Sequence, residues 1–562
     1  LERDDLALDD REAEELLRIV GWSGPADRAR ALYHAFEGWA AGLYLAALNG
    51  RTAPESATPD DASAHRMVAA YVRSEVLGSL SVEQLDLVVR ASAFEPLDAS
   101  MIAEVLAVDG VEASLRDVAR TTPLLVELDG PGTRYRWHRS LRAVVQAESS
   151  HQDPEAERLL QQRAAVWYER EGLHETALAY AMRATDAGLV ARLLPGVAEA
   201  AWNAGRVAEL TTWLDWFDAQ DGPAGHPRVA MIGSLVHGLL GRSARALRWA
   251  TLAQVDHASR IADGDAGLAA LVRASLCRSG IVRMVDDAEL AVALLPANDP
   301  WAPTARILHG VGLGLEGRRR SADAELAAGT ELATAAGGSR THAAIGLVFR
   351  AWLAVDRGEW RSAESLIRRA RGIVRDAGLG EGAAGLSVEA MSARLAVRHG
   401  AFPQAMADAR VAQRLRTTAG SAVPWLAVRT RLDLATALVA LADPATAGMI
   451  LGEAEELLRR QPAMGLLAEE IEELRGHLDR SLGGPVGATM LTLAELRLLP
   501  LLATHRSLPE IADQVGRSSN TIKTQAKSIY RKLEATSRSE AVDRARALGL
   551  LDAAAPNEVL TI

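Results

Sequence analysis

The chain has 562 residues, 49% hydrophobic, 24% charged and 4% aromatic, with a formal net charge of −11. That length predicts about three to five domains. The composition excludes a disordered or collagen-like chain, and the charge excludes a uniformly basic nucleic-acid coat protein. Only three of the 62 basic residues are lysine, Lys523, Lys527 and Lys532, and the other 59 are arginine. Codon bias explains why lysine is scarce but not why all three fall within ten residues. A single cysteine, Cys277, excludes a disulfide framework and a thiolate metal site, and suits a reducing, cytoplasmic setting. The 13 histidines show no helical metal-ligand spacing, so no metal site is predicted. No apolar run is long enough for a membrane span. The chain opens on Leu1-Glu2-Arg3 with neither methionine nor a signal pattern, so a fragment, a processed chain or a trimmed one is expected.

In chain order, the first distinctive string is Glu37-Gly-Trp39-Ala-Ala-Gly42-Leu43-Tyr-Leu-Ala-Ala47-Leu48, which reads as a buried helix with a close contact at glycine. Helices are expected at about 82–94, 98–107 and 111–121. Two extended runs follow, Pro123 to Leu128 and Thr133 to Trp137, around Asp129-Gly-Pro-Gly132. They predict a β-hairpin and, with the helices, a winged helix. From about 155 the chain is repetitive. Gly172, Gly205, Gly241, Gly280, Gly317, Gly358 and Gly400 each follow one amphipathic helix and precede another, at spacings of 33, 36, 39, 37, 41 and 42. A left-handed glycine closing each first helix predicts a solenoid of tetratricopeptide-like hairpins. Trp202, Trp213, Trp216, Trp249, Trp301, Trp352, Trp360 and Trp425 lie in it, as core residues or as the lining of a ligand surface.

A linker, Gly483-Gly-Pro-Val-Gly487, leads to a segment of different character. Residues 491–550 hold ten Lys/Arg and six Asp/Glu, a net of +4 that leaves −15 for the remainder. A basic module on an acidic body points to a polyanion partner. Its predicted helices run from Leu491 to Ala503 (capping box Thr492 to Glu495), Leu508 to Val515 (capped by Ser507), about Asn520 to Leu533 (capped by Ser518 or Ser519) and about Ser539 to Ala547. Two helices joined at Gly516 form a helix-turn-helix. On the third, Ile522, Ala526, Ile529 and Leu533 make a buried stripe, with Lys523, Thr524, Lys527 and Arg531 opposite. Lys523, Thr524 and Lys527 are candidates for base edges in the major groove. Arg517, Ser519, Asn520, Thr521, Arg531, Lys532 and Arg538 are candidates for phosphate contacts. The alternative is an ordinary solvated basic face.

Over about 491–551 this pattern resembles the LuxR-type DNA-binding domain, through Glu510-Ile-Ala512, Ser519-Asn-Thr-Ile-Lys-Thr524, Ile529-Tyr-Arg-Lys-Leu533, Ser537-Arg-Ser-Glu-Ala541 and Gly549-Leu-Leu551. It departs from the usual pattern at His505-Arg506, Gln525 and Glu534. With the string at 37–48, the winged helix and the solenoid, the whole chain resembles the large ATP-dependent transcription regulators of the MalT type. The expected fold class is mostly all-α: a helical subdomain of a truncated nucleotide-binding module (1–75), a winged helix (76–152), a helical-repeat solenoid (153–482), a linker (483–490), a LuxR-type helix-turn-helix (491–552) and a tail (553–562). The resemblance implies a DNA-binding transcriptional regulator with double-stranded DNA as partner. It also implies an unknown effector or partner protein on the concave solenoid, and self-association when active. No G-x-x-x-x-G-K-[ST] is present and no lysine precedes 523, so no ATPase activity and no cofactor are expected of this chain. ATP or ADP would belong to a longer parent protein. One nucleotide contact is implied for His138, whose alternative role is to cap the helix beginning near Arg139. The contrasting function is a helical-repeat interaction scaffold with little or no DNA binding.

Overall fold

The computed structural model describes residues 8–551 except 23–25, 37, 53–68, 129–132, 139–141, 143, 147–153, 221, 258–260, 336–338, 462, 484–490, 492, 505, 516–517, 534 and 548–550. The chain divides into two compact units, Leu1–Leu193 and Leu194–Ile562.

In the first unit, helix Ala40–Thr52 buries Leu43 and Ala47. A methyl group on Gly42 would lie 2.4 Å from the Trp39 ring and 2.7 Å from Phe36, so only glycine lets the two rings close over this helix. The winged helix follows as helices Val82–Ala91, Ala99–Leu106 and Val111–Thr121 with a three-stranded antiparallel sheet. The predicted hairpin is β2 (Leu125–Glu127) and β3 (Arg134–Trp137), with Leu125 opposite Trp137. Its turn, Asp129–Gly132, lies outside the described residues. Alternation decides the packing: Tyr135 and Trp137 are buried while Arg134 is exposed. A further strand, β1 (Leu97–Asp98), pairs Leu97 with Tyr135; two residues are too few to leave a periodic signal in sequence. The first helical hairpin, Pro154–Arg170 and His174–Arg183, belongs to this unit. Its Tyr180 hydroxyl bridges the Glu95 amide (2.9 Å) and carbonyl (3.1 Å), and its ring stacks on Tyr168.

The second unit is helical. From Val207–Ala219 to Leu466–Gly483, helices alternate between an inner and an outer layer. All seven glycines singled out by spacing have positive φ, between 68° and 89°. One more hairpin, Pro424–Ala440 with Pro444–Arg460, turns at Ala442 (φ 60°), an alanine in the conformation that glycine favours, which hid it from the glycine count. Outer helices bury one stripe, such as Ala363, Ile367, Ala370 and Val374 on Trp360–Asp376. Inner helices, notably Arg340–Asp356, Ala383–Arg398 and Pro424–Ala440, are buried nearly all round.

They are buried because the superhelix winds back onto itself. Trp425 donates its indole N–H to the Ser275 carbonyl (2.9 Å), 150 residues away, and the Ala422 amide donates to Ser243 Oγ (3.1 Å), 179 residues away. The Ile281 amide donates to the Ala463 carbonyl (2.8 Å). Trp425 also packs on Phe349. The inner layer carries a buried ionic cluster in which Arg429 bonds Asp433 (2.8 Å) and Glu470 (2.6 Å), while Arg394 reaches Asp433 (2.9 Å). Trp202, Trp249, Trp301, Trp352 and Trp425 are core residues. Trp213, Trp216 and Trp360 are half-buried, the last under the Arg398 guanidinium. Five of the eight tryptophans weighed as core or ligand-lining residues are therefore core.

Candidate nucleic-acid interface

The C-terminal module contains helices Leu493–Leu502, Leu508–Val515, Ser519–Lys532 and Arg538–Ala547. Ser507 starts the second, its amide and hydroxyl both donating to Glu510 Oε2 (2.7 and 2.8 Å). Ser518 starts the third, its Oγ accepting from the Thr521 amide (3.1 Å). The predicted capping box from Thr492 and the turn at Gly516 and Arg517 lie outside the described residues. So does the linker beyond Gly483.

Helix Ser519–Lys532 has the expected two faces. Ile522, Ala526, Ile529 and Leu533 are buried in a core with Leu498, Leu499, Leu502, Ile511, Ala541, Val542 and Ala545. Lys523, Thr524, Lys527 and Arg531 are exposed together on the other side. Among the described residues Lys523, Lys527 and Arg531 have no ion-pair partner, so a cationic row of three faces solvent. The Thr524 hydroxyl donates to the Asn520 carbonyl (2.9 Å), which fixes its rotamer and leaves its methyl and lone pairs outward. At the helix start the Thr521 amide is taken by Ser518, and its hydroxyl pairs with the same serine (2.7 Å). Of the three residues proposed there for phosphate, Ser519 and Asn520 keep first-turn amides available among the described residues, and Thr521 does not.

Two proposed backbone contacts are committed elsewhere. Lys532 Nζ lies 2.6 Å from Glu495 Oε2, with only 9% and 6% of the two side chains exposed, and ties the third helix to the first. Lys532 stands nine residues after Lys523, about 180° around the helix at roughly 100° per residue, so the spacing itself places it on the buried side. Arg538 donates to the carbonyls of Leu502 (2.8 Å), Arg506 (2.6 Å), Leu501 (3.3 Å) and Thr504 (2.6 Å). It caps the C-terminal end of the first helix, where unpaired carbonyls and the helix dipole favour a cation. Arg544 does the same for the third helix through the Leu533 carbonyl (3.0 Å). Backbone carbonyls have no signature in a sequence, so neither clamp was foreseeable from it. The module's core is continuous with Val397, Phe402 and Ala405 of the repeats, and the docked module keeps its basic row outward.

His138, the candidate nucleotide contact, is buried in the first unit. Its Nε2 lies 3.1 Å from the Phe36 carbonyl and its ring meets the Trp39 edge. Its own carbonyl accepts from the Arg142 amide (3.1 Å), opening the next helix. The Nε2 of His138 is thus already engaged by a backbone carbonyl.

Residues 489–545 match the family model of bacterial regulatory proteins of the luxR family. Residues 73–157 match the MalT winged helix domain. The chain thus contains a MalT-type winged helix domain and, toward its C-terminus, a LuxR-type domain. In structure it is similar to a signal transduction ATPase with numerous domains and a tetratricopeptide repeat sensor from Pyrococcus horikoshii. The two are 13% identical, the match covers 97% of this chain and 75% of that one, and the TM-score is 0.44. No curated protein matches the chain in sequence. Among the described residues no helix is long and apolar enough to cross a membrane.

Proposed function

We propose that this chain regulates transcription by reading double-stranded DNA with helix Ser519–Lys532, under the control of an effector or partner bound by the helical-repeat body. One observation carries the reading: within the segment matching the luxR-family model, Lys523, Thr524 and Lys527 stand together, exposed and, among the described residues, without carboxylate partners. Lysine donors suit guanine O6 and N7, and the threonine methyl suits thymine. Arg531 and the amides of Ser519 and Asn520 supply phosphate contacts that set register. Because the inner layer of the repeats is filled, an effector reaching it would have to part the turns at Trp425 and Ser275.

The test is selection of duplexes from a random pool by the full chain, followed by anisotropy titrations of the selected site at several salt concentrations. A steep loss of affinity with salt is expected. Lys523→Ala with Lys527→Ala should abolish preference for the selected site while leaving the helical circular dichroism unchanged. Arg531→Ala should lower the salt slope by about 0.9 and spare sequence preference. Failure of the pool to enrich any sequence, or unchanged affinity in the double-lysine variant, overturns the reading in favour of an interaction scaffold.

A further inference from the structure

The first unit holds a cleft of about 490 Å³. Its wall includes Ala93 and Arg142 of the winged helix, and Glu157, Arg158, Gln161 and Arg183 of the first helical hairpin. Three arginines and one glutamate thus line it, with Glu95 and Glu155 paired to two of the arginines. Each arginine is held differently. Arg142 is anchored by Glu95 (3.1 Å), and Arg158 by Glu155. Arg183 lies over the Tyr180 ring, 5.0 Å from its centre, and that ring is itself fixed by the hydroxyl's bonds to Glu95. Among the described residues Arg183 makes no close ion pair or hydrogen bond, though its charge acts on nearby Glu95, so an oriented guanidinium keeps its donors unused. A planar fork of this kind matches the oxygens of a phosphate or carboxylate.

Gln161 adds a second requirement. It is buried, its amide Nε2 donates to the Ala93 carbonyl (2.8 Å), and its Oε1 has no partner. An unpaired acceptor at a cleft wall is costly until a donor reaches it. The volume suits a small metabolite better than a bare ion. We propose that this cleft binds a small hydroxylated organic phosphate, its phosphate on Arg183 and Arg158 and a hydroxyl donating to Gln161. The site stands independently of whether the chain reads DNA.

The experiment is calorimetric titration of the full chain with glucose 6-phosphate, inorganic phosphate and glucose at fixed ionic strength. Saturable one-to-one binding of glucose 6-phosphate is expected, at least tenfold tighter than inorganic phosphate, with none for glucose. Arg158→Ala with Arg183→Ala should weaken it at least tenfold. Arg163→Ala, an exposed arginine of the same helix that does not line the cleft, should leave it unchanged. If the double variant misfolds, Arg183→Lys decides: it keeps the charge, loses the fork, and should weaken binding severalfold. Absence of saturable binding, equal binding of glucose, or affinity unchanged by the substitutions at 158 and 183 overturns the site. Inorganic phosphate binding as tightly as the sugar phosphate overturns it too, because the Gln161 acceptor would then contribute nothing.

Discussion

Lys532 and Glu495 are buried opposite charges, and such a pair behaves asymmetrically. Removing one partner leaves an uncompensated charge in the core, at a cost of about 3–5 kcal/mol. Lys532→Met should therefore lower the stability of the C-terminal module by that order, read by denaturant titration, and Glu495→Leu in the same chain should restore much of it. Lys523→Ala, on the exposed face, should change stability by less than about 0.5 kcal/mol. Two buried histidines make a second residue-scale prediction. Burial pulls His237 down to about 4, helped by nearby Arg242 and Arg245 against the pull of Asp215 and Asp218, and burial alone pulls His342 to about 4. Unfolding returns both to about 6.5, so the unfolded chain takes up these protons first as pH falls. Stability is full above about 6.5, declines as pH falls toward 4 and levels off below. At pH 5 each histidine should cost about 2 kcal/mol relative to pH 7. His237→Leu should remove that one increment from the pH dependence of urea unfolding.

Elements show what a sequence carries and what it hides. The glycine spacing announced the helical hairpins because each turn needs a left-handed residue, and composition alone marks that residue. The hairpin at Ala442 kept the geometry with another residue type and so left no mark. Helix Ser519–Lys532 was legible from its faces, since a buried stripe and an exposed stripe follow from 100° steps. Arg538 was not, because four carbonyls recruit it and carbonyls belong to every residue. Glycines also divide by what surrounds them. A methyl group on Gly358 meets nothing within 4 Å, whereas on Gly241 it would lie 2.8 Å from the Thr418 carbonyl. Both have positive φ. Gly358→Ala should cost about 1 kcal/mol for conformation alone. Gly241→Ala should cost clearly more, because backbone must move as well, and thermal unfolding of the two variants would separate the terms.

At the scale of the whole second unit, repeat arrays usually interact only with their neighbours, so damage stays local. Here Ser243, Ser275 and Ile281 are held by Ala422, Trp425 and Ala463. Trp425→Ala should therefore raise hydrogen exchange around residues 275–281, several repeats distant, as well as in its own hairpin. Loss of protection confined to residues 400–470 would show a neighbour-only array. None of these partners is visible in a sequence, because repeat periodicity reports contacts between adjacent units and is silent about the next turn of a superhelix.

That seam has a consequence for biosynthesis. At about 5–20 residues per second, the stretch around Ser275 leaves the ribosome roughly 10–40 s before Trp425 and Ala463 can cover it. For that interval the nascent chain presents an apolar inner layer, a natural client surface for a ribosome-associated chaperone.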